Sequence, residues 1–452
     1  MIFSIPELFP KIVFALLCLE VVFSSLFFGA VHSWAWSSLT ILSCLMMLLY
    51  WYDKTAFRKD SHIPKAMQWA LLAFLASLLL SWWNPVSFIL SPRDASWVKK
   101  ENIPLVFPGC LSPYHARLAI YQWIIPIVAF LSMPYILSSR KNIYLLFIII
   151  IIIATLQGIY GTMQYFFTED PIPFFVRHDR EGKVTGTYIC RNTYSCFLAM
   201  AAPLILGYIL DLLRQFHLGE KKYKILSLFL LTSSFLFVIS GNFLSLSRGG
   251  ILCLIAGIAL WMILMASRKK TFFYCNGCFL VIIISSLTGI CWYFFGYKIL
   301  QKFDDSAILS LAGRWEIWKA SYQIWQNHFF FGVGGGNFFA AWEIHKPLSQ
   351  GSLSLWYAHN DYLQFLVEYG IFGFLSLFYF IITWVFLVFR QKKSSFLYIP
   401  DLFYSILVSL CVIFLHGTMD FSLNIPGHRL LCAILMGTLL SMTSCSQQSK
   451  KK

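Results

Sequence analysis

Long uninterrupted runs of apolar residues recur along the chain. The clearest are YLLFIIIIIIATLQGIYGTMQYFF at residues 144–167 and GIFGFLSLFYFIITWVFLVF at residues 370–389. Such runs match the roughly 20 residues that a helix needs to cross a bilayer, and they lack the alternation of membrane-barrel strands. The pattern predicts an all-α, polytopic membrane bundle of about 12 transmembrane helices. The predicted spans are residues 12–31, 36–52, 67–83, 119–137, 144–167, 191–210, 225–241, 250–266, 272–296, 362–389, 400–418 and 428–445.

The connections between the predicted spans alternate in charge. Every second connection is short and rich in Lys and Arg, as in KTAFRKDSHIPK and SSRKN, whereas the others hold most of the acidic residues and all the long loops. Because Lys and Arg accumulate on the cytoplasmic side of membrane proteins, the alternation predicts that both termini are cytoplasmic. It also predicts a large periplasmic loop at residues 297–361, between helices 9 and 10. We treat residues 1–452 as a single integral membrane domain.

Composition supports the membrane assignment and narrows the candidate partners. Of the 452 residues, 58% are apolar and only 12% are charged, which is about half the charged fraction of an average soluble domain. We assign the net charge of +15 to topology signals beside the spans, and not to nucleic-acid binding. The C-x-x-C pair Cys275 and Cys278 has no second half, so no metal site is predicted. Whether Cys110 and Cys190 form a disulfide is left open.

The loop at 297–361 is rich in aromatic residues. The segment AGRWEIWKASYQIWQNH places Trp315, Trp318, Tyr322 and Trp325 at helical spacing, which indicates an amphipathic helix on the membrane surface or over the bundle. A packed loop helix with no chemical role is the simpler interpretation of this stripe. The glycine run GVGGGNFF lacks the Lys-Ser/Thr of a phosphate-binding P-loop, so we expect a tight turn there instead.

A set of polar residues on the predicted outer side is not explained by topology. An Arg guanidinium is a planar fork suited to phosphate, and His accepts protons near neutral pH. Together they suit a lipid diphosphate whose departure is favoured by Arg while His deprotonates an attacking hydroxyl. Taken singly, each also fits a surface charge, a snorkelling side chain or a structural hydrogen bond. The set comprises Arg191, Arg248, Arg314, His359, Asn360, His416 and Asp420.

The motifs around these residues resemble those of the O-antigen ligase and polymerase superfamily. GRWEIWKASYQIWQNHFFFGVGGGNFF followed by YAHNDYLQFLVEYGIFGF is similar to the family's signature loop, in which Gly-Arg, Trp and Gly-x-Gly lead to His-Asn and a helix with a Glu-x-Gly turn. SLSRGG, TGTYICRNTYSCFLAMAAPL and HGTMDFSLNIPG resemble three further family elements. The O-antigen ligase-related region is residues 143–435. One departure is Arg191, which stands where another polar residue is common.

The resemblance implies a glycosyltransferase that moves a glycan from undecaprenyl diphosphate to an acceptor hydroxyl without metal, nucleotide or other cofactor. Carried over by motif, Arg248 and Arg314 bind the diphosphate together with Arg191, and His359 is the catalytic base. The supporting residues are Asn360, His416 and Asp420. The implied site lies on the periplasmic face of a bacterial inner membrane, among membrane lipids. The implied acceptor is lipid A-core or another glycan.

The motifs leave the exact reaction open. An O-antigen ligase acting on lipid A-core is the leading hypothesis. A polymerase of O-antigen or polysaccharide repeat units and a protein O-oligosaccharyltransferase are alternatives of the same class. A polysaccharide transporter or flippase is the alternative from another class. Transporters usually place polar sites near the membrane midplane and are often built from repeated halves, whereas here the polar residues gather at the outer face and no internal repeat is found.

Overall fold

The computed structural model describes residues 5–53, 63–84, 88–90, 97–99, 107–167, 184–215, 221–267, 289, 305–346, 354–391 and 399–443. These residues form thirteen α-helices, a pair of three-residue antiparallel strands and two short 3₁₀ turns. The helices are α1 (Ile5–Leu26), α2 (Ser33–Tyr52), α3 (Lys65–Trp83), α4 (Pro113–Ile136), α5 (Arg140–Phe166), α6 (Arg191–Gln215), α7 (Lys221–Leu244), α8 (Arg248–Ala266), α9 (Asp305–Asn327), α10 (Phe338–His345), α11 (Asp361–Gln391), α12 (Pro400–Gly417) and α13 (Pro426–Thr443). The strands are β1 (Phe88–Leu90) and β2 (Trp97–Lys99), and the 3₁₀ turns are Phe28–Ala30 and Ser422–Asn424.

The predicted helix-bundle class is confirmed. Eleven of the twelve predicted spans coincide with helices, and ten helices in the described ranges are long and apolar enough to cross a membrane. The ninth predicted span, 272–296, lies outside the described residues apart from Gly289. Helix boundaries extend several residues beyond the predicted ones, as for α4, because capping side chains such as that of Ser112 stabilise an earlier start.

Helix α13 is surrounded by protein. All of its residues are buried, and it packs along α4 and against α12. A helix that does not face lipid tolerates polar side chains if they find partners. The hydroxyl of Thr438 donates to the carbonyl of Ile434 at 2.7 Å, and that of Ser441 donates to the carbonyl of Gly437 at 2.8 Å. The predicted span at 428–445 is therefore an internal helix of the bundle.

Helix α6 packs against three other helices, α7, α8 and α12. Small residues allow the close approach: a Cβ on Gly207 would lie 2.0 Å from the Ser405 hydroxyl, and Ser409 donates to the carbonyl of Met200 at 2.7 Å. This packing places the starts of α6 and α8 beside the end of α12. Arg191 and Arg248, the first residues of their helices, are thereby brought to one end of the bundle.

Helix α11 is interrupted at Gly370. This residue has φ 61° and ψ −172°, which are not helical values. The loop preceding α10 pairs with the break, since Ile371 N–H donates to Phe329 O at 2.9 Å and Val333 N–H donates to Val367 O at 2.8 Å. A Cβ on Gly370 would lie 2.4 Å from the carbonyl oxygen of Phe330. The span predicted over 362–389 is thus divided, at the glycine of the Glu-x-Gly turn.

The glycine run between α9 and α10 forms the expected turn. Gly332, Gly334 and Gly336 all have positive φ. The N–H of Gly336 donates to the buried carboxylate of Glu368 at 2.8 Å, and the side chain of Gln364 donates to the same carboxylate at 3.1 Å. Glu368 and Gln364, both in α11, therefore hold the glycine loop between α9 and α10 against the bundle.

Helix α9 presents part of the aromatic stripe to the outside. Trp315 is 56% exposed and Tyr322 is 47% exposed. The buried face of the helix carries Ile317, Ala320 and Ile324 instead. The helix thus packs through aliphatic residues and leaves aromatic ones at the surface, as the amphipathic interpretation expects.

Candidate functional site

Asp420 is the centre of the site. It follows α12 in the connection to α13, and its side chain is almost fully buried. One carboxylate oxygen accepts hydrogen bonds from His359 Nδ1 at 3.1 Å and from the Phe421 N–H at 3.0 Å. The other accepts a short hydrogen bond from the Asn192 amide and lies 3.8 Å from the Arg314 guanidinium. Asp420 therefore joins α6, α9 and the start of α11.

The pKa of Asp420 is lower than its usual value. Burial raises it, but the hydrogen bond from His359 and the nearby His416, His359 and Arg314 charges together outweigh burial. The carboxylate is therefore ionised at neutral pH. It is the negative charge around which the cationic side chains of the site are arranged.

His359 is held from several sides. Its backbone has φ 51°, in the left-handed region, and its carbonyl accepts from Trp318 Nε1 at 3.3 Å. The imidazole meets the ring of Phe421 edge-on at 5.1 Å, and Phe421 stacks on Tyr357 at 4.2 Å. With Nδ1 on Asp420, the ring is oriented while its side chain remains 28% exposed. A fixed ring with an accessible second nitrogen is suited to accepting a proton.

Asn360 caps and tethers α11. Its side-chain oxygen accepts from the Leu363 N–H at 3.1 Å, and its amide donates to the Thr418 carbonyl at 3.1 Å. The cap fixes the start of α11 against the connection that carries Asp420. Asn360 thereby sets the distance between His359 and Asp420.

Three arginines surround this pair. Arg191 starts α6, Arg248 starts α8, and Arg314 lies in α9. The positive charges of Arg191 and Arg314 both interact with that of Arg248, although like charges repel. Nη1 of Arg191 is buried and has no hydrogen-bond partner among the described residues. A cluster of guanidiniums with one nearby carboxylate has an excess of positive charge and of donors, which suits a polyanion.

Asn192 is a further residue of the site, which the sequence patterns did not predict. Its amide donates to Asp420, and its oxygen accepts from the Ser247 hydroxyl at 2.9 Å. Ser247 also caps α8 by accepting from the Gly250 N–H at 3.3 Å. Asn192 therefore connects the start of α6, the start of α8 and the carboxylate. The only signal in the sequence was its position directly after Arg191 in a family-like segment.

The segment before Arg191 is fixed by two glutamines of α5. Gln164 accepts from the Gly186 N–H at 2.9 Å, and Gln157 donates to the Thr187 hydroxyl at 2.6 Å. Both glutamines are buried. They hold the turn that leads to Arg191 in place.

His416 lies one turn before Asp420 and is fully buried. Its Nδ1 is 2.8 Å from the Ser422 hydroxyl, and it is within electrostatic reach of Asp420 and Arg314. All seven predicted residues thus lie in one region of the fold. Asp420 contacts both His359 and Arg314 directly. Asn360 is tied to the same connection through Thr418, and Arg191, Arg248 and His416 lie nearby.

His345, another histidine of the 297–361 loop and an alternative base, does not belong to this group of residues. It ends α10, and its ring is 6.1 Å from that of His328. Burial lowers the pKa of its imidazole. Cys110 and Cys190 are both free thiols, so the question of their pairing is answered in this structure.

An apolar groove lies in the same part of the bundle. It has a volume of about 200 Å³ and lies between α4, α11 and α13, with Phe365, Phe378 and Met436 among its lining residues. Its polar end is formed by Asp361, Asn424 and Arg429. Asp361 accepts from the Leu423 N–H at 2.8 Å and from the Asn424 amide at 2.7 Å. Asp361 lies two residues after His359 and Asn424 lies four residues after Asp420, whereas His359 and Asp420 themselves do not line the groove.

Residues 233–378 match the protein-family model described as O-antigen ligase. The resemblance to the O-antigen ligase superfamily is therefore confirmed. The matched segment runs from α7 into α11 and contains Arg248, Arg314 and His359, whereas Arg191 and Asp420 lie outside it. No curated protein matches the chain. Together with the ten candidate membrane helices, the match indicates a multi-pass membrane protein of the O-antigen ligase and polymerase type, a glycosyltransferase-like enzyme.

Proposed function

We propose that the protein is a glycosyltransferase that moves an undecaprenyl-diphosphate-linked glycan onto an acceptor hydroxyl, as an O-antigen ligase acting on lipid A-core. It resides in the bacterial inner membrane with both termini in the cytoplasm and its site on the periplasmic face. The observation that carries the proposal is the His359–Asp420 pair, 3.1 Å apart, with three arginines around it. This arrangement offers one base and several phosphate ligands in one place.

In the proposed reaction His359 is the base. Because Asp420 accepts from Nδ1–H, the neutral ring presents Nε2 as a proton acceptor. The acceptor hydroxyl transfers its proton to Nε2 as its oxygen attacks the anomeric carbon. The bond between that carbon and the diphosphate oxygen breaks, and its electron pair leaves with undecaprenyl diphosphate. Asp420 stabilises the imidazolium that forms.

The arginines stabilise the leaving diphosphate. Arg248, Arg314 and Arg191 carry fixed positive charge toward which negative charge develops as the bond to the sugar breaks. The buried Nη1 of Arg191 is a donor without a described partner, which supports a role in holding an anion. Fixed guanidinium charge supplies the neutralisation that many transferases obtain from a divalent cation, so we propose a metal-independent reaction without cofactor.

The apolar groove suits the hydrocarbon chain of a lipid-linked substrate. A chain lying between α4 and α11 would contact Asp361 and Asn424, which are two and four residues from His359 and Asp420 in sequence. Both substrates of the proposed reaction are anchored in lipid, so a site at the edge of the membrane bundle is reached by lateral diffusion.

The test compares His359→Ala with His345→Ala in a deletion strain and with purified protein. The first variant is expected to insert normally, to bind inorganic pyrophosphate and to lose transfer by about a hundred- to ten-thousandfold. The second is expected to transfer normally. Near-normal transfer by His359→Ala, or loss only in His345→Ala, would contradict the proposal. In cells that carry only the inactive variant, glycan that accumulates as polymer on the lipid carrier identifies the protein as a ligase. A product limited to a single repeat unit identifies it as a polymerase.

A further inference from the structure

His416 has a buried nitrogen that the proposed reaction does not yet use. The side chain is 0% exposed, and Nε2 has no hydrogen-bond partner among the described residues. Leaving a buried polar atom unsatisfied is costly. A group of this kind is retained in a site more readily when a ligand completes it.

The other ring nitrogen has a partner. His416 Nδ1 lies 2.8 Å from the Ser422 hydroxyl, which can donate to an imidazole nitrogen or accept from it. With Ser422 as the donor to Nδ1, the hydrogen of the neutral ring is on Nε2. His416 thus offers an unused N–H donor.

This donor points to the start of α8. A Cβ on Gly249 would lie 3.7 Å from His416 Nε2 and 4.0 Å from Cδ2 of the same ring, and apart from neighbouring residues of α8 it would meet no other atom of the described structure within 4 Å. Gly249 is the second residue of α8, directly after Arg248. The Ser247 cap bonds to the Gly250 N–H, and no partner is described for that of Gly249. Free N–H groups and the helix dipole favour an anion here.

The charged residues around the start of α8 also favour an anion. Arg248 lies at the same helix start and is within electrostatic reach of Arg191 and Arg314. Arg191 contributes a second buried donor without a described partner, its Nη1. The arginine cluster thus contains the α8 N-terminus, which His416 Nε2 faces, and a further unpartnered guanidinium nitrogen on Arg191.

We propose that His416 Nε2–H and the Gly249 N–H bind a non-bridging oxygen of the leaving diphosphate. This assignment rests on the proposed function, and it gives His416 a direct role in substrate binding in place of a supporting one. It also explains the glycine: a methyl group at position 249 would fill the space between the imidazole and the helix backbone, where the oxygen sits.

Two substitutions of His416 separate the proposed role from a structural one. Glutamine places its amide nitrogen near the position of Nε2, whereas asparagine places it near Nδ1. His416→Gln therefore keeps the donor toward α8 and loses the contact with Ser422, and His416→Asn does the reverse. If His416 served only to hold Ser422, the asparagine variant would be the milder one.

A third variant tests the space itself. In Gly249→Ala the added Cβ makes only an ordinary contact of 3.7 Å, and alanine favours a helix more than glycine does. This variant is expected to fold at least as stably as the natural protein while it excludes the phosphate oxygen. A stable protein with weakened anion binding is not explained by damage to the fold.

His428 provides the matched control. It is also fully buried, with Nδ1 3.3 Å from the Ser422 carbonyl and with an unpartnered Nε2. Its ring, however, lies parallel to that of Phe197 and beside Tyr188, and no described contact places it at the start of α8. His428→Asn and His428→Gln are expected to leave anion binding unchanged.

The experiment measures binding of inorganic pyrophosphate to the purified full-length protein in detergent by calorimetry. We expect His416→Asn and Gly249→Ala to weaken binding by about ten- to a hundredfold, the contribution of a hydrogen bond to a charged group. We expect His416→Gln to retain most of the affinity. If His416→Asn and Gly249→Ala bind as the natural protein does while Arg248→Ala weakens binding, the assignment of His416 is wrong and the diphosphate site stands. If the natural protein does not bind pyrophosphate, or if binding is independent of Arg248, the proposed function and this inference both fail.

Discussion

Replacing Asp420 with asparagine tests how the site produces a base. The substitution preserves the shape of the side chain and removes its charge. In the natural protein the carboxylate accepts from His359, Asn192 and Phe421. An asparagine offers one accepting oxygen and one NH₂ group, so His359 loses an ionised partner at the moment when it becomes an imidazolium.

The magnitude follows from the distance. Two unit charges about 4 Å apart interact by about 4 kcal/mol near a protein surface. His359 is 28% exposed, and Arg314 lies 3.8 Å from the same carboxylate, so we reduce the value to about 2–3 kcal/mol because water and the guanidinium both screen it. This corresponds to a fall in transfer of about 30- to 150-fold. It is smaller than the effect of removing His359 because the base itself remains.

Binding and catalysis are expected to separate. Without the carboxylate, Arg314 loses a counter-ion, so pyrophosphate binding by Asp420→Asn should equal or exceed that of the natural protein. Transfer is measured as the shift of acceptor on a gel with purified lipid-linked donor. Transfer within threefold of the natural rate, or a parallel loss of transfer and binding, would refute the role given to Asp420.

Stability provides a second readout. The N–H groups that faced the carboxylate lose part of their acceptor, which costs about 1–3 kcal/mol of unfolding free energy. Because the folded pKa of Asp420 lies below its ordinary value of 3.8, its ionisation stabilises the fold above that pH and the contribution is lost as the pH falls below it. The difference in stability between Asp420→Asn and the natural protein should therefore shrink below about pH 4.

A matched control lies at the other end of α12. Asp401 is equally buried and is 2.8 Å from the Arg214 guanidinium. Asp401→Asn is expected to lower thermal stability by a similar amount. Its transfer rate per folded molecule should be unchanged, because its charge is far from the catalytic pair.

Three further predictions concern the cationic groups and the orientation of the chain. Arg248→Lys and Arg314→Lys each keep the charge but lose the bidentate fork, so each should lower transfer about a hundred- to a thousandfold; full complementation of a deletion strain by both would show that neither holds the diphosphate. Transfer should continue in EDTA because guanidiniums supply the positive charge, and loss of activity that one divalent ion restores would oppose this. A cysteine introduced by His345→Cys in a cysteine-free background should react with an impermeant maleimide from the periplasm, and one introduced by Lys224→Cys only from the cytoplasm; the reverse pattern would invert the topology.

The sequence by itself determined the class of fold, and it also predicted a set of candidate site residues. The spans follow from the length and apolarity of local segments, which a helix must have to satisfy its backbone in lipid. The seven candidate site residues were predicted because polar groups at the ends of membrane spans cost free energy to bury and are usually retained for a function. Both arguments use only neighbouring residues.

Only the tertiary structure decided which side chains touch. Asp420 meets His359 across 61 residues and Asn192 across 228 residues, and no local period records such contacts. For the same reason Asp420 was predicted as a supporting residue, whereas the structure makes it the common partner of the histidine, the asparagine and one arginine. The burial of α13 and the break of α11 at Gly370 also depend on packing partners. Apolarity shows that a segment leaves water, but the choice between lipid and protein as its surroundings is made by the helices that pack against it.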